Sequence, residues 1–231
     1  MMKFLTILVF LTSLYAQESA LRAFKNKEYT KAFALYTLEA NNGDTHAQNA
    51  LSYLYFNGLG TEKNPQKGLE WLSKAANSED DKAQFDLAMM YLGGQNVDQD
   101  YATAFTWLTK ASDRNNTEAQ YNLALMYYQG HAADQNASKA AELLENAASN
   151  GHEGATKNVG RIYMQLLKYD KASYWLEKNA ANGDVGAYYL LAEIYCAQEK
   201  FSQAKHWAKK SIESKNEAAK ELWERYKLEK Y

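Results

Sequence analysis

Small and large apolar residues recur along most of the chain with the spacing of one helical stripe. Each occurrence has an alanine, an aliphatic residue four positions later and a tyrosine four positions after that. The occurrences are Ala47/Leu51/Tyr55, Ala83/Leu87/Tyr91, Ala119/Leu123/Tyr127, Ala155/Val159/Tyr163, Ala187/Leu191/Tyr195 and Ala218/Leu222/Tyr226. Residues four apart lie on the same side of an α-helix. The pattern therefore predicts six amphipathic helices, called A helices, spaced by 36 residues at first and by 32 and 31 at the end.

A second pattern runs in phase with the first and predicts a partner helix, called B, for each repeat. It has a small residue followed three positions later by a large one, as in Ala32/Leu35, Gly68/Trp71, Ala104/Trp107, Ala140/Leu143, Ala172/Trp175 and Ala204/Trp207. One such hairpin cannot bury its apolar face alone, so neighbouring hairpins must stack. The predicted fold class is all-α, a solenoid of stacked antiparallel helix pairs.

Turn-forming residues lie where these helices should begin and end. Glycine or asparagine, which tolerate the left-handed conformation that stops a helix, follow the B helices at Gly43, Asn115, Gly151 and Gly183 and the A helices at Gly58, Gly94 and Gly130. Good N-cap residues precede three B helices at Asn64, Asp100 and Asn136, and Pro65 occupies a favoured first-turn position. Residues 17–231 are therefore predicted to form a single α-solenoid of about six hairpins plus a capping helix near residues 216–229.

The composition is that of a folded protein without strong electrostatic partners. The chain has 231 residues, of which 46% are hydrophobic and 23% charged, and its net charge is −2. That balance excludes a polybasic nucleic-acid binder. A single proline and 12 glycines are few for a strand-rich fold, which agrees with the helical repeats.

The first residues are predicted to be a leader rather than part of the fold. Lys3 gives a positive start, an apolar stretch runs from Phe4 to Leu14, and the small Ala16 lies before the expected cleavage point. This three-part pattern is typical of a secretory signal peptide over residues 1–16. The alternative is a buried N-terminal helix. The mature protein is expected in the periplasm or outside the cell, without stable insertion in a membrane.

The repeat motif resembles that of the Sel-one-like repeat family, relatives of tetratricopeptide repeats. The resemblance lies in the run Ala83 to Gly94, with its Ala-x-x-x-Leu-Ala-x-x-Tyr-x-x-Gly pattern, and in Trp71-Leu72-Ser73-Lys74-Ala75-Ala76. It implies a right-handed α-solenoid whose A helices line a concave face. It also implies an adaptor that holds a protein or peptide partner, here in a bacterial cell envelope.

A more distant resemblance, to exported cysteine-rich proteins of the Helicobacter type, implies an alternative function. Those proteins are penicillin-binding, weak β-lactamases with a Cys-x7-Cys pair joining each B helix to the next A helix. The matching positions here are Ala76/Gln84, Ser112/Gln120, Ala148/Thr156 and Ala180/Tyr188. Ser202 and Lys205 match a Ser-x-x-Lys motif, but the companion motifs of penicillin-recognising enzymes are absent and Ser202 is expected to start a helix.

Catalytic and metal-binding motifs are otherwise lacking. His152-Glu153 begins like a zinc-protease motif, but Thr156 stands where the second histidine is needed. No phosphate loop, dinucleotide fingerprint or nucleophile elbow is present, so no catalytic residue, metal ligand or cofactor is predicted. The single cysteine, Cys196, excludes an intramolecular disulfide and is expected to be buried. Asn115 and Asn136 begin Asn-x-Ser/Thr sequons and are candidate glycosylation sites.

The candidate binding surface follows from the repeat register. Positions two and six after each repeat alanine, and the position after the tyrosine, should face the concave side. The residues chosen on this basis are Asn49, Tyr53, Phe56, Phe85, Met89, Tyr121, Tyr128, Arg161, Tyr189 and Glu193, and the same rule includes Cys196. Most members in the earlier repeats are apolar or aromatic, which favours a contact surface, with Arg161 and Glu193 orienting the partner. The alternative is that curvature packs these side chains against one another.

Overall fold

The computed structural model describes residues 19–231, and the predicted leader over residues 1–16 lies outside them. The described residues form helices and no strand. Helix α1 covers residues 19–25 in its described part. The other α-helices are α2 (Tyr29–Asn41), α3 (Thr45–Asn57), α4 (Pro65–Asn77), α5 (Asp81–Gly93), α6 (Tyr101–Asp113), α7 (Thr117–Gln129), α8 (Ala137–Ser149), α9 (Glu153–Gln165), α10 (Tyr169–Ala181), α11 (Gly186–Ala197), α12 (Phe201–Glu213) and α13 (Glu217–Arg225), followed by a 3₁₀ turn at Leu228–Lys230.

Each of two compact units consists of helices that pack against their neighbours along the chain. The first unit ends at Ala119 and the second runs from Gln120 to Tyr231. In the first unit α2 packs on α3, α3 on α4, α4 on α5 and α5 on α6. In the second unit the same succession runs from α8 to α13. The predicted fold class, an all-α solenoid of stacked antiparallel helix pairs, is confirmed. Within residues 19–231, no helix has both the length and the apolar character needed to cross a bilayer.

The repeat alanines and aliphatic residues form the core, as the periodicity predicts. Ala47, Leu51, Ala83 and Leu87 are buried in the first unit. In the second unit Ala155, Val159, Tyr163, Ala187, Leu191 and Tyr195 are buried. The last repeat departs from the pattern, because Ala218 is exposed and Ala219 is buried instead. Helix α13 ends at Arg225, Tyr226 is exposed, and a left-handed turn at Lys227 leads to the fully buried Leu228.

The predicted caps are present. Asn64, Asp100 and Asn136 each accept a hydrogen bond from a backbone N–H in the first turn of the following helix. Gly58 and Gly94 end α3 and α5 in the left-handed conformation, and Asn115 adopts it after α6 with φ of 62°. The polar residues of the loops therefore fix the ends of the helices, as expected from their sequence positions.

Glutamine side chains connect each of two A helices to the B helix before it. Gln84 Nε2 donates to the carbonyl oxygen of Ala76 at 3.1 Å, and Gln48 Nε2 donates to that of Ala40 at 3.2 Å. Both glutamines are buried, and each donates to a carbonyl near the end of a B helix that also accepts a backbone N–H. Each glutamine therefore links the beginning of an A helix to the end of the preceding B helix.

Replacing this pair by cysteines, Ala76→Cys with Gln84→Cys, should produce a disulfide. Closing a loop this short is expected to raise the free energy of unfolding by about 2 kcal/mol. Urea denaturation with and without reductant measures the gain, and mass spectrometry identifies the bridge. The reduced form of the same variant is the control. Failure of the two thiols to pair under oxidising conditions would contradict the close approach of residues 76 and 84.

A charged hydrogen-bond cluster connects α8, α9 and α10 in the second unit. Glu145 Oε2 accepts from the hydroxyl of the buried Tyr163 at 2.6 Å and from Lys171 Nζ at 2.7 Å. Partial burial raises the pKa of Glu145, but these hydrogen bonds outweigh it and lower the pKa from its ordinary 4.5. Burial and the bond to Glu145 raise the pKa of Tyr163 to about 12.

Glu145→Gln should destabilise the protein at neutral pH by about 1 kcal/mol, because it weakens a charged hydrogen bond. A carboxylate whose pKa is lowered in the folded state stabilises that state above its unfolded pKa. This contribution is lost as the pH falls through the folded pKa. The difference in unfolding free energy between wild type and variant should therefore be largest near pH 7 and shrink below about pH 4.5. Urea denaturation of wild type and variant near pH 7 and below about pH 4.5 tests this prediction. The same difference in unfolding free energy at the two pH values would contradict a stabilising role for the Glu145 carboxylate.

Candidate functional site

The A helices α3 and α5 contribute to two adjoining cavities in the first unit. Their volumes are about 600 Å³ and 540 Å³, and both are lined by Asn49, Tyr53 and Asp86. We call the combined feature the first-unit groove. Besides these three shared residues, the side chains that define it are Leu21, Phe24, His46, Asp80 and Lys82 in the first cavity and Phe56, Met89 and Leu92 in the second.

Apolar side chains in this groove are open to solvent. The exposed fraction is 51% for Tyr53, 45% for Leu21 and 37% for Met89. Phe24 packs edge-on against Tyr53 with ring centroids 6.0 Å apart, which holds the tyrosine at the side of the first cavity. Because exposed apolar surface of this kind is costly in water, it usually marks a contact surface. Tyrosine also offers rigid contact area with a polar tip.

One polar residue of the groove, Asp80, is fixed by its role as a helix cap. Asp80 is buried and precedes α5, and its Oδ1 accepts from the backbone N–H of Ala83 at 2.8 Å. Its Oδ2 lies 2.7 Å from Nδ1 of His46, whose side chain is largely exposed. Both carboxylate oxygens of Asp80 therefore have partners within the protein.

Asp86 lies at the junction of the two cavities and has a different environment. Protein atoms crowd its carboxyl group although its surface remains open to solvent, and this partial desolvation raises its pKa. A hydrogen bond with Asn49 opposes the shift, and the negative charge of Asp80 adds to it. The positive charge of Lys82 also opposes the shift, more weakly than the hydrogen bond does. The carboxyl group thus faces the groove with a neutral amide as its hydrogen-bond partner and one lysine acting on it electrostatically.

Four of the five binding residues predicted in the first unit line the groove. They are Asn49, Tyr53, Phe56 and Met89, whereas Phe85 is partly buried and is not among the lining residues. Phe56 also has a structural role, because it packs against the core of this unit and over Gly68 at the start of α4. Sequence reasoning missed Asp86, although an acidic residue between the apolar Phe85 and Leu87 was a usable signal.

The aromatic residues predicted to bind a partner through the second unit contact other residues of the same unit. Tyr121 stacks on the ring of His152 with centroids 4.2 Å apart, and Tyr128 donates its hydroxyl to Oε1 of Gln165 at 3.2 Å. Tyr189 donates to Oε1 of Glu193 at 2.8 Å. Burial, followed by this hydrogen bond, raises the pKa of Tyr189 to about 12.

The charged candidates of the second unit also have internal partners. A guanidinium nitrogen of Arg161 lies 3.7 Å from Oδ2 of Asp184, and both residues line a polar cavity. Cys196, which the register rule placed with Tyr189 and Glu193, is buried instead. Burial raises the pKa of its thiol to about 11, as expected of the inert buried cysteine that the helical pattern also predicted.

The remaining candidates lie apart from the groove. Asn115 and Asn136 are exposed, and the side chain of Asn136 caps α8. Ser202 is the second residue of α12 rather than its cap, and Lys205 Nζ donates to the carbonyl of Glu229 at 3.1 Å. This arrangement gives the β-lactamase alternative no support. Among residues 19–231, His, Cys, Asp and Glu form no group of three that could hold a metal ion.

Comparison with protein-family models decides the nature of the repeats. The model described as Sel1 repeat matches residues 45–80, 81–116 and 117–152, three consecutive segments of 36 residues. Residues 45–152 are Sel1 repeats. The resemblance found in the sequence motifs is confirmed there, and the first-unit groove from His46 to Leu92 lies on the first two Sel1 repeats, with Leu21 and Phe24 before them.

Solved structures with the same kind of repeat resemble this chain. A Sel1 repeat protein from Oxalobacter formigenes is 27% identical, with a TM-score of 0.69 over 88% of this chain and 87% of that one. The protein c5321, a protective antigen of uropathogenic Escherichia coli with an SLR fold, is 28% identical, with a TM-score of 0.65; the match covers 88% of this chain but 46% of that one. Helicobacter pylori cysteine rich protein B is 24% identical over 59% of this chain and 91% of that one. Its TM-score is 0.42, so this likeness carries no argument about function. No curated protein matches the chain.

Proposed function

We propose that this protein is an exported adaptor that binds a segment of a partner protein in the first-unit groove. The observation that carries the proposal is the set of solvent-exposed apolar side chains, Tyr53, Met89 and Leu21, in a groove built by Sel1 repeats. Repeats of this class present extended surfaces that commonly bind other proteins. The second-unit candidates are not part of the proposed site, because their side chains already contact other residues of the second unit.

Export to the cell envelope is part of the same proposal and rests on the sequence of residues 1–16. A positive start, a short apolar stretch and a small residue before the cleavage point support it. N-terminal sequencing of protein from the periplasm or the medium should find Gln17 first. Mature protein that retains Met1 would contradict cleavage.

Glycosylation of Asn115 and Asn136 is a separate proposal within an envelope setting. Both side chains belong to Asn-x-Ser/Thr sequons and both residues are exposed. The intact mass of the native protein, compared with the variant Asn115→Gln with Asn136→Gln, should show the added sugar. A native mass equal to that of the bare polypeptide would end this proposal.

Affinity capture from an envelope extract tests the adaptor function when it compares matched variants. The groove variant, Tyr53→Ser with Met89→Ser, removes exposed apolar surface inside the groove. The control variant, Leu38→Ser with Tyr174→Ser, removes a similar pair of exposed side chains (61% and 54%) elsewhere. A partner recovered with wild type and control but lost with the groove variant, all three having equal thermal stability, supports the proposal. Equal recovery with all three proteins would contradict it.

A further inference from the structure

The charges of the first-unit groove are distributed unevenly. Among the described residues that line the second cavity, Asp86 is the one that carries a charge, and the rest of its wall is largely apolar. The first cavity adds the Asp80–His46 pair and Lys82. Because both oxygens of Asp80 are engaged, Asp86 is the carboxyl group at which a ligand could still gain a charged contact.

An occupant of the groove must therefore compensate Asp86. A purely apolar segment would cover a carboxylate whose hydrogen-bond partner is the neutral Asn49 and to which Lys82 adds only a weaker electrostatic attraction. Covering a charge that is only partly compensated is costly. An acidic segment would add repulsion to that cost. A lysine or arginine side chain avoids both penalties, and its aliphatic stem can pack along Tyr53 and Met89 on the way to the carboxylate. The tyrosine ring face adds an attraction for the cation.

We propose that the groove selects a segment in which one lysine or arginine contacts Asp86 and apolar residues on either side fill the two cavities. This inference rests on the proposed function and names the chemistry of the partner at the same site. The apolar positions follow from the geometry, because Asn49, Tyr53 and Asp86 line both cavities and therefore form their junction. The cation lies at that junction and its neighbours extend into the cavities.

A random peptide library displayed on phage, selected against the full chain, tests the inference. We expect wild type to enrich peptides with a lysine or arginine flanked by apolar residues. The variant Asp86→Asn should lose the preference for the basic residue, while the control Asp98→Asn, an exposed aspartate outside the groove, should keep it. Thermal melts of the three proteins establish that each is folded.

Fluorescein-labelled copies of the enriched peptides then give the affinities by anisotropy. Asp86→Asn, or replacement of the basic residue by norleucine, should each weaken binding about tenfold, and the two changes together should weaken it little further. Peptides enriched without a basic residue, or with an acidic one, would overturn the inference while leaving the adaptor function standing. Failure of wild type to enrich any peptide relative to Tyr53→Ser with Met89→Ser would overturn both.

Discussion

Replacing Gly60 by alanine is expected to lower the free energy of unfolding of the first unit by about 3 kcal/mol, because backbone strain and overpacking add. Gly60 lies in the loop between α3 and α4 with φ of +73°, a conformation that residues with a side chain rarely adopt. A Cβ atom there would collide with the carbonyl group of Tyr29 and would lie 2.8 Å from the backbone nitrogen of Thr30. Because these are backbone atoms at the start of α2, they cannot move aside without shifting the helix.

Gly43→Ala is the matched control for this prediction. Gly43 also has a positive φ, of +90°, but a Cβ atom there would have open space around it. It should therefore show only the conformational cost, on the order of 1 kcal/mol. Urea denaturation followed by circular dichroism measures both variants. Equal losses of unfolding free energy in Gly60→Ala and Gly43→Ala would contradict the close approach of Gly60 to the backbone of Tyr29.

Leu176→Ala should destabilise the second unit by about 3 kcal/mol, because it removes a fully buried side chain and leaves a cavity. Leu176 of α10 packs directly over Gly160 of α9, where an added Cβ atom would lie 2.8 Å from its Cγ. Gly160→Ala alone should cost about 1 kcal/mol, since overpacking exceeds the gain in helix propensity.

The two changes at this contact should not be additive. In the double variant the new methyl group of residue 160 occupies part of the space left by Leu176, so its loss of stability should be smaller than the sum by about 1 kcal/mol. Leu222, a buried leucine of α13, provides the control pair with Gly160→Ala, which should be additive. Additive losses at residues 160 and 176 would contradict the close helix contact.

The sequence predicted the helices and their ends well, because those depend on local signals. The alanine, leucine and tyrosine spacing predicted the A helices, and Asn64 and Gly58 lie at the helix ends where capping rules place them. The register rule failed for Cys196, because it assigns one outward direction to every A helix. The side of α11 that carries Cys196 is buried against the rest of the second unit.

The groove was predicted in part, because Tyr53 and Met89 occupy a recurring position of the repeat whereas Asp86 does not. Tyr53 and Met89 occur six residues after their repeat alanines, so periodicity found them. Asp86 comes three residues after Ala83 and lies next to Asn49 of the preceding A helix. The contact between His46 and Asp80, one helix pair apart, likewise depends on how successive pairs stack. The sequence of one repeat does not show which residues of the next repeat it will contact.

Site-specific photo-crosslinking in the living host tests most directly whether the first-unit groove holds a partner segment. A photoreactive phenylalanine analogue at Tyr53 should give a crosslink to one protein segment containing a basic residue between apolar ones. The same probe at Tyr174, equally exposed but outside the groove, should not, and Met89→Ser should weaken the crosslink from residue 53. Equal crosslinking from residues 53 and 174, or a crosslink from residue 53 that Met89→Ser leaves unchanged, would contradict binding of a partner in the groove.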